Sequence, residues 1–400
     1  MLEEGFTDSG VSWKDDVKPV LGPELVVVVP GDNTPVALMQ PTDKAAFRKL
    51  LEESDDSPAV VDEAGDWVVV ADSQEQIDAY RAALGSDTLA DDAGFRTAML
   101  GLPGDAMARA WVNGANLTDT VRELAASSGG SDQLAFESMS MAIVPEEAGV
   151  FLSVSVKTPN ANGTSYEPKL LERVPASAVA ALSFGGTEKA LDSVRDSLDL
   201  DEMSEALEEG LGLSLDRVIG LFSGEGMLYL REGAAIPEVT LALAPPDVDG
   251  AYADVETLMQ KLAEGMDSEI KTVEQDGLEV RRIDQGDVNV SWAKVDDAVI
   301  VTTGASGIRL FREDGDKLAG FDAFKAAADR VGLGETTGGF FYVDIDGLIP
   351  LVERLADTAD QTLPDQVRET MEAFDSVILV GEVGEDGTTT MSGRLRMNER

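Results

Sequence analysis

The second half of the chain alternates short apolar runs with polar turns. The runs Val179 to Phe184, Met227 to Leu230 and Val239 to Ala244 predict short strands, because their length and branched residues suit a buried sheet. Lys271 to Arg282 is interrupted by Asp276-Gly277, which is a hairpin signal. We therefore expect short strands that meander through tight turns.

Three segments of the same half carry apolar residues at helical spacing. The apolar positions recur every three or four residues, so that one face of each helix is apolar. The three sets are Val255, Leu258, Met259 and Leu262; Phe321, Phe324, Ala328 and Val331; and Leu348, Leu351, Val352 and Leu355. Each set predicts a helix that packs one face against a sheet.

The chain ends in a predicted hairpin with one polar face. Val377 to Val383 and Thr389 to Met397 flank a Glu-Asp-Gly turn, and the second strand alternates apolar residues with Ser and Arg. Leu152 to Val156 alternates with serines in the same way. Such alternation is typical of antiparallel sheets. The predicted fold class is α+β, a mainly antiparallel sheet with helices on one face.

Five segments of the first half recur in the second half in the same order. Collinear recurrence of this kind indicates an internal duplication. The matching segments begin at Leu2 and Leu207, Ala64 and Val295, Leu89 and Leu318, Ala108 and Gly339, and Ala135 and Ala373, and Glu24 matches Glu225. We therefore predict two tandem copies of one unit, each folded around its own core.

These segments set the boundaries of the copies. Copy 1 spans residues 1–158, a polar linker spans residues 159–168, and copy 2 spans residues 169–400. Copy 2 opens with LLERVPASAVAALSFGG, from Leu170, and a helical stretch through Met203, which have no counterpart in copy 1. We therefore expect that copy 1 is truncated at its start and lacks a strand and a helix.

Acidic residues dominate the chain, with 76 Asp and Glu against 31 Lys and Arg and a net charge of −45. This charge repels phosphate backbones and anionic lipids, so we predict no nucleic-acid partner and no direct binding to anionic membrane surfaces. A charge of this size fits a highly soluble protein or one adapted to a saline environment, and weak binding of cations by the acidic surface is an open alternative. The aliphatic run Leu25 to Val29 is far too short to span a bilayer, and the N-terminus has no leader pattern.

The sequence contains neither cysteine nor histidine. This excludes thiolate nucleophiles, disulfides, the usual zinc sites and a Ser-His-Asp triad. Carboxylates are the abundant reactive groups that remain, and four of them, Asp247, Asp249, Asp254 and Glu256, lie close together. Their spacing does not fit an EF-hand calcium loop, so we predict a loop and an N-cap before a helix.

Two further segments predict structural caps. Asp344 to Gly347 has the character of a helix cap, and its counterpart Asn113 to Asn116 keeps that character without the charges. The runs Gly210 to Ser214 and Gly332 to Gly339 match no dinucleotide or phosphate loop and predict helix C-caps. We therefore assign no catalytic, cofactor-binding or metal-binding residue, and we expect no cofactor.

Four segments carry a family resemblance: Asp15 to Gly22, Trp67 to Ser73, Leu89 to Phe95 and Val174 to Ala178. They are similar to domain-of-unknown-function family 3352, an uncharacterised bacterial family common in actinobacteria, and the resemblance covers nearly the whole chain. It implies an extracytoplasmic protein held by an N-terminal signal or transmembrane anchor, which is missing here. No functional residues carry over, because the family has no established activity.

These observations favour a non-enzymatic extracytoplasmic scaffold or binding module of unknown partner, ligand, pathway and oligomeric state. Two alternatives stay open. Thirteen methionines could help to line a cavity between sheet and helices that carries an apolar ligand such as a lipid. Carboxylates that the fold brings together could also form a hydrolase site.

Overall fold

A computed structural model describes most of the chain. The described residues are 18–29, 35–52, 59–84, 88–114, 136–158, 164–186, 208, 210–233, 236–286, 288–304, 306–358, 361–384 and 387–398. The LEEG segment at Leu2 and the predicted helical stretch through Met203 lie outside them. The chain divides into two compact units, Met1–Met99 with Asn113–Ala135 and Leu100–Val112 with Phe136–Arg400.

A four-stranded antiparallel sheet of order β1-β2-β4-β3 forms the first unit. Its elements in chain order are β1 (Leu25–Val28), β2 (Val36–Met39), α1 (Lys44–Glu52), β3 (Val60–Ala64), β4 (Trp67–Ala71) and α2 (Gln74–Ala83), and α3 (Ala93–Gly101) follows. Helix α2 begins at a capping box, in which the side chains of Ser73 and Gln76 accept hydrogen bonds from each other's backbone N–H groups. This cap fixes where α2 leaves β4.

The core of the first unit is small and aliphatic. Val36, Val69, Ala71 and Ile77 are buried in one cluster, and Leu38 packs against it. Ile77 comes from α2 and the other residues from β2 and β4, so α2 covers one face of this sheet.

A 13-stranded sheet of order β11-β12-β13-β14-β10-β9-β8-β15-β16-β17-β7-β6-β5 forms the second unit. Every pair from β11 through β6 is antiparallel. The strands are β5 (Ala108–Asn113), β6 (Ser138–Glu146), β7 (Gly149–Lys157), β8 (Ala178–Phe184), β9 (Glu225–Arg231), β10 (Glu238–Ala244), β11 (Ile270–Gln275), β12 (Leu278–Gln285), β13 (Val288–Val295), β14 (Ala298–Thr302), β15 (Gly339–Asp344), β16 (Phe374–Val383) and β17 (Thr388–Met397). The predicted hairpins β11–β12 and β16–β17 are confirmed, and β13 and β14 form a further hairpin.

The helices of the second unit connect these strands. They are α4 (Leu215–Leu221), α5 (Val248–Gly265), α6 (Gly307–Arg312), α7 (Asp322–Val331), α8 (Ile345–Thr358) and α9 (Asp365–Met371), with 3-10 turns at Lys169–Arg173 and Leu318–Gly320. The three helices predicted from apolar spacing correspond to α5, α7 and α8. Helix α7 ends at Gly332 in the left-handed region, which confirms the predicted C-cap.

Helices cover both faces of the β10–β14 part of this sheet. Adjacent residues of a strand point to opposite faces. In β14, Val299 packs with Val255 of α5, whereas Ile300 packs in the cluster that holds Ile308 and Phe311 of α6. The α+β class is confirmed, but the prediction of helices on one face is wrong. The reason is that β14 is apolar on both sides.

The hairpins that end the two predicted copies lie side by side. Strand β7 pairs antiparallel with β17, and Ser153 lies opposite Ser392. Val144 and Phe151 of β6 and β7 belong to the same buried cluster as Phe340 of β15. The prediction of a separate core for each copy is therefore wrong for this hairpin, because β7 and β17 join one continuous sheet.

The four strands of the first unit recur in the same order within the second. The order β1-β2-β4-β3 matches β9-β10-β14-β13. Along the chain, a helix follows β2 and β4 in the first unit, and a helix follows β10 and β14 in the second. The register also matches, since Leu38 lies opposite Val69 and Ala242 lies opposite Ile300. The duplication itself stays a prediction, because its first segment at Leu2 lies outside the described residues.

The end of the predicted linker contacts strand β8. Residues 159–163 lie outside the described part of the chain. Tyr166 pairs with Thr337 in an isolated bridge, and its hydroxyl lies 2.6 Å from Ser183 Oγ. The copy boundaries at residues 158 and 169 stay predictions.

Candidate functional site

The four acids before and within the start of α5 have separate partners. Asp247 is the N-cap of α5, as predicted, and the other three belong to the helix itself. Their partners are Gly250 N–H for Asp247 at 2.9 Å, Lys294 for Asp249, Arg217 for Asp254, and Trp292 Nε1–H for Glu256 at 2.6 Å. Each carboxylate therefore stabilises a local contact, and the four do not form one site.

Asp344 also has the capping role predicted for it. Its carboxylate accepts a hydrogen bond from Gly347 N–H at 3.0 Å, at the start of α8. Burial raises the pKa of Asp344, and the hydrogen bond from Gly347 opposes this shift. Nowhere in the described part of the chain do three acidic side chains form a group that could hold a metal ion. Cation binding by the acidic surface stays a prediction.

A cleft of about 220 Å³ lies between α4 and the start of α5. Arg217 and Asp254 form an ion pair on its wall, and Ser223 donates its hydroxyl proton to the carbonyl of Gly220 at 2.7 Å. Sites for small organic molecules have volumes of roughly 300–1,000 Å³. This cleft is smaller, and the polar groups named on its walls are bound to each other.

A second cleft, of about 410 Å³, is bordered by Glu146 and by Arg394 of β17. Arg394 Nε donates to Glu146 at 2.7 Å, and Arg330 of α7 donates to the same carboxylate. Burial by itself raises the pKa of Glu146, but the two arginines outweigh it and hold the pKa below its ordinary value. The ionised Glu146 thus ties β6 to α7 and β17, which is a structural role.

Glu225 has the most perturbed carboxyl group that the described residues contain. Burial at the start of β9 raises its pKa to about 7. The backbone N–H of Leu170 donates to its Oε1 at 2.7 Å and partly opposes the shift. The nearby carboxylate of Asp297 is bound to Arg173, 2.8 Å away. Glu225 therefore anchors the 3-10 turn Lys169–Arg173 to the sheet.

A buried ion pair joins β9 and β10 to the start of α6. Arg231 and Glu238 are both almost fully buried, and Arg231 donates to the Glu238 carboxylate and to Ser306 Oγ. Thr302 and Thr240 continue the network, with their hydroxyl oxygens 2.9 Å apart. A charge buried in this way is costly unless it is paired, so the pair positions α6 on the sheet.

Strand β1 and the residue after it expose a run of aliphatic side chains at the edge of the first unit's sheet. Leu25, Val26, Val27 and Val29 are exposed by 59%, 44%, 58% and 60%. On one side β1 pairs with β2, and among the described residues no strand pairs with its other side. We call Leu25–Val29 the apolar edge. The sequence showed that this run is too short for a membrane span, but it did not predict that the run is exposed.

The other sheet ends carry charged residues. Strand β3, at the opposite end of the same sheet, contains Asp62 and Glu63, which pair with Arg81 and Arg48. In the second unit, β11 contains Lys271 and Glu274, and β5 contains Arg109. Charges on edge strands oppose unwanted strand pairing. Among the described sheet ends, the apolar edge is thus the one whose strand carries no charged residue that would oppose strand pairing.

These features define an α+β protein built on antiparallel sheets, and the most unusual surface among its described residues is a sheet edge. The chain belongs to the family described as "Protein of unknown function (DUF3352)", whose profile matches residues 41–397. The predicted family is therefore confirmed. A search of curated proteins found no match.

Two solved structures show a distant similarity. Crystal forms III and IV of TP0453 are 15% and 13% identical, and the alignments cover 54% and 56% of this chain and 74% and 77% of theirs. The TM-score is 0.25 for both, so this similarity carries no argument about function. Within the described residues, no helix combines the length and apolar character needed to cross a bilayer.

Proposed function

We propose that this chain is a non-enzymatic binding module that acts outside the cytoplasm and binds a protein partner through the apolar edge. The supporting observation is the solvent exposure of Leu25–Val29 in a chain with a net charge of −45. Exposed apolar surface of this kind often marks an interaction site. An edge strand also offers unpaired backbone groups to a partner strand.

The described interior does not favour a carrier of apolar ligands. Buried side chains fill the space between α5 and the sheet, where Leu243, Val255 and Trp292 form one cluster. Met259 and Met266 pack against this cluster, so these methionines contribute to a filled core.

The interaction surface can be tested by photocrosslinking in cells that produce the protein. The photoreactive residue benzoylphenylalanine replaces Val27 in one variant and Val273 of the charged edge β11 in a control. Both positions are exposed. We expect an adduct with another polypeptide from position 27 and none from position 273. Equal labelling from both positions, or none from either, would contradict the proposal.

The absence of catalysis and the location require separate experiments. Turnover above buffer on a panel of glycosides and esters would show that the chain is an enzyme. The extracytoplasmic location predicts that protease added to intact cells degrades the protein, whereas a cytoplasmic control protein survives until the cells are lysed. Protection of both proteins in intact cells would contradict this location.

A further inference from the structure

The cleft of about 410 Å³ beside Glu146 has the size of a site for a small organic molecule. Gly149, the first residue of β7, lies opposite Glu146 of β6 on one side and opposite Arg396 of β17 on the other. Because Gly149 has no side chain, it leaves a gap between these two charged residues. Ala148 and Ala326 also border the cleft, so small residues separate its charged walls.

Arg396 borders the cleft and is only weakly held by its neighbours. Its described ion-pair partner is Asp375, but Nε lies 3.8 Å from that carboxylate, which is too long for a hydrogen bond. Asp375 instead accepts a hydrogen bond from Ser376 Oγ at 2.7 Å. A guanidinium carries five N–H donors in a planar fork that matches the geometry of a carboxylate. Arg396 is therefore able to bind the carboxylate of a ligand.

The other arginines at the cleft have structural partners. Arg394 lies on the same face of β17 as Arg396, because the two are separated by one residue. Its Nε donates to Glu146 at 2.7 Å, and its Nη1 donates to the carbonyl oxygen of Ala326 at 3.3 Å. Arg330 donates to the same carboxylate of Glu146. These contacts fix the walls of the cleft, whereas Arg396 makes no contact of this kind with the described residues.

A buried hydroxyl group on the same face of the sheet also lacks a partner. Tyr342 is fully buried, and its hydroxyl forms no hydrogen bond with the described residues. Tyr342 lies opposite Ile378, which lies opposite Arg394. Burial raises the pKa of Tyr342, and the positive charge of Arg396 partly opposes this shift, so Arg396 is near the hydroxyl. Because buried polar groups are nearly always hydrogen-bonded, this hydroxyl favours a polar occupant beside Arg396.

The acidic groups of the chain restrict the charge of such an occupant. Glu147, in the turn between β6 and β7, is exposed and borders the same cleft. A ligand with only a carboxylate is repelled by Glu147 and by the net charge of −45. A molecule that carries both a carboxylate and an ammonium group is neutral overall, and its ammonium group is attracted by Glu147. The cleft therefore suits a small zwitterion.

We propose that this cleft binds a free α-amino acid, whose carboxylate pairs with Arg396 and whose ammonium group pairs with Glu147. A paired guanidinium and carboxylate form two parallel hydrogen bonds, which fix the orientation of the ligand. The small residues Ala148 and Ala326 leave room for its side chain. This inference goes beyond the proposed function, because it concerns a small ligand of the second unit and does not involve the apolar edge.

Thermal unfolding of the full 400-residue chain with each of the common L-amino acids is the first test. A ligand that binds the folded state raises the melting temperature. We expect a saturable rise with at least one amino acid, and calorimetric titration then gives its affinity. The amide of that amino acid lacks the carboxylate, and its N-acetyl derivative lacks the ammonium group. Both derivatives should bind at least tenfold more weakly than the free amino acid.

Substitutions locate the site. R396Q and E147Q each remove one of the two charges and should weaken binding of the amino acid at least tenfold. The matched control is R354Q, because the side chain of Arg354 is 41% exposed and that of Arg396 is 37% exposed, and Arg354 pairs with Glu232 outside the cleft. R354Q should leave the affinity unchanged. Equal melting temperatures of the variants and the wild-type protein without ligand show that the variants are folded.

Three results would overturn the inference. The first is that no amino acid raises the melting temperature. The second is that the N-acetyl derivative binds as tightly as the free amino acid, since the site would then recognise a carboxylate alone. The third is that R396Q and R354Q weaken binding equally, which would place the ligand elsewhere. None of these results depends on crosslinking at position 27, so the proposed function and this inference can fail separately.

Discussion

Two positions that the sequence comparison matches hold the same residue in very different environments. Glu225 is half-buried and accepts a hydrogen bond from Leu170, whereas its sequence match Glu24 is exposed. The difference arises because the turn Lys169–Arg173 packs over β9 beside Glu225, and the backbone N–H of Leu170 in this turn donates to its carboxylate. The pKa of Glu225 is raised by this packing and not by the residue type.

The raised pKa of Glu225 gives stability a defined pH dependence. The folded state holds this proton up to about pH 7, whereas the unfolded chain releases it near the ordinary value of 4.5. The contribution of Glu225 is therefore fully present below pH 4.5 and decreases as the pH rises through 7. We expect E225Q, whose amide oxygen can still accept from Leu170, to unfold at higher temperature than wild type at pH 8. After allowance for solvent screening, the gain is on the order of 1 kcal/mol.

Thermal unfolding at pH 8 and pH 5 measures this effect. The difference between E225Q and wild type should shrink at pH 5, because the carboxyl is then protonated in the folded protein. A difference of equal size at both pH values would show that Glu225 does not titrate in this range.

Alanine substitutions at two nearby glycines should change the free energy of unfolding in opposite directions. A Cβ on Gly224 would lie 2.0 Å from the carbonyl oxygen of Ala244, whereas a Cβ on Gly220 would meet nothing within 4 Å. We expect G224A to lower the free energy of unfolding by about 2 kcal/mol, because the backbone must shift. G220A, within α4, should raise it by up to about 1 kcal/mol. Urea denaturation of both variants provides the measurement, and equal effects would contradict the close approach at Gly224.

At the scale of elements, local polar contacts fix where helices begin. Asp247 caps α5 and Asp344 bonds to the first turn of α8, and both contacts are short-range in sequence. Such contacts are therefore predictable from residue type and spacing. Contacts between distant elements, such as Arg231 with Ser306, have no comparable local pattern.

The contribution of the α5 cap to stability can be measured, with an exposed carboxylate two residues away as the control. D247A removes the acceptor for Gly250 N–H and should cost about 1 kcal/mol of unfolding free energy. Asp249 pairs with Lys294 at an exposed site, so D249A should cost less than about 0.5 kcal/mol. Chemical denaturation compares the two variants. A larger loss for D249A would show that the cap contributes little.

At the scale of the whole molecule, the net charge of −45 sets the response to salt. Self-repulsion destabilises a compact acidic chain, and salt screens it. We expect the melting temperature to rise between low salt and about 1 M KCl. Potassium chloride is the suitable salt, because sulfate also strengthens apolar burial. An unchanged melting temperature would contradict this prediction, and an equal rise with sucrose would point to a cause other than charge.

The sequence alone determined the α+β class, the hairpins, three helices of the second half, the caps at Asp247 and Gly332 and the family. These features depend on local patterns: alternation in strands, helical spacing and turn residues. The family followed from short segments such as Trp67 to Ser73. The predicted duplication, location and cation binding await their own tests.

Only the tertiary structure decided which strands become neighbours and which of them remain at an edge. The runs Leu25 to Val29 and Val239 to Ala244 are both aliphatic, yet the first is exposed and the second lies between β9 and β14. The sharing of one core by β7 and β17, the helices on both faces and the raised pKa of Glu225 were decided in the same way. The physical reason is that the burial of a side chain depends on packing partners that are far away in the sequence. A local sequence pattern carries no information about those partners.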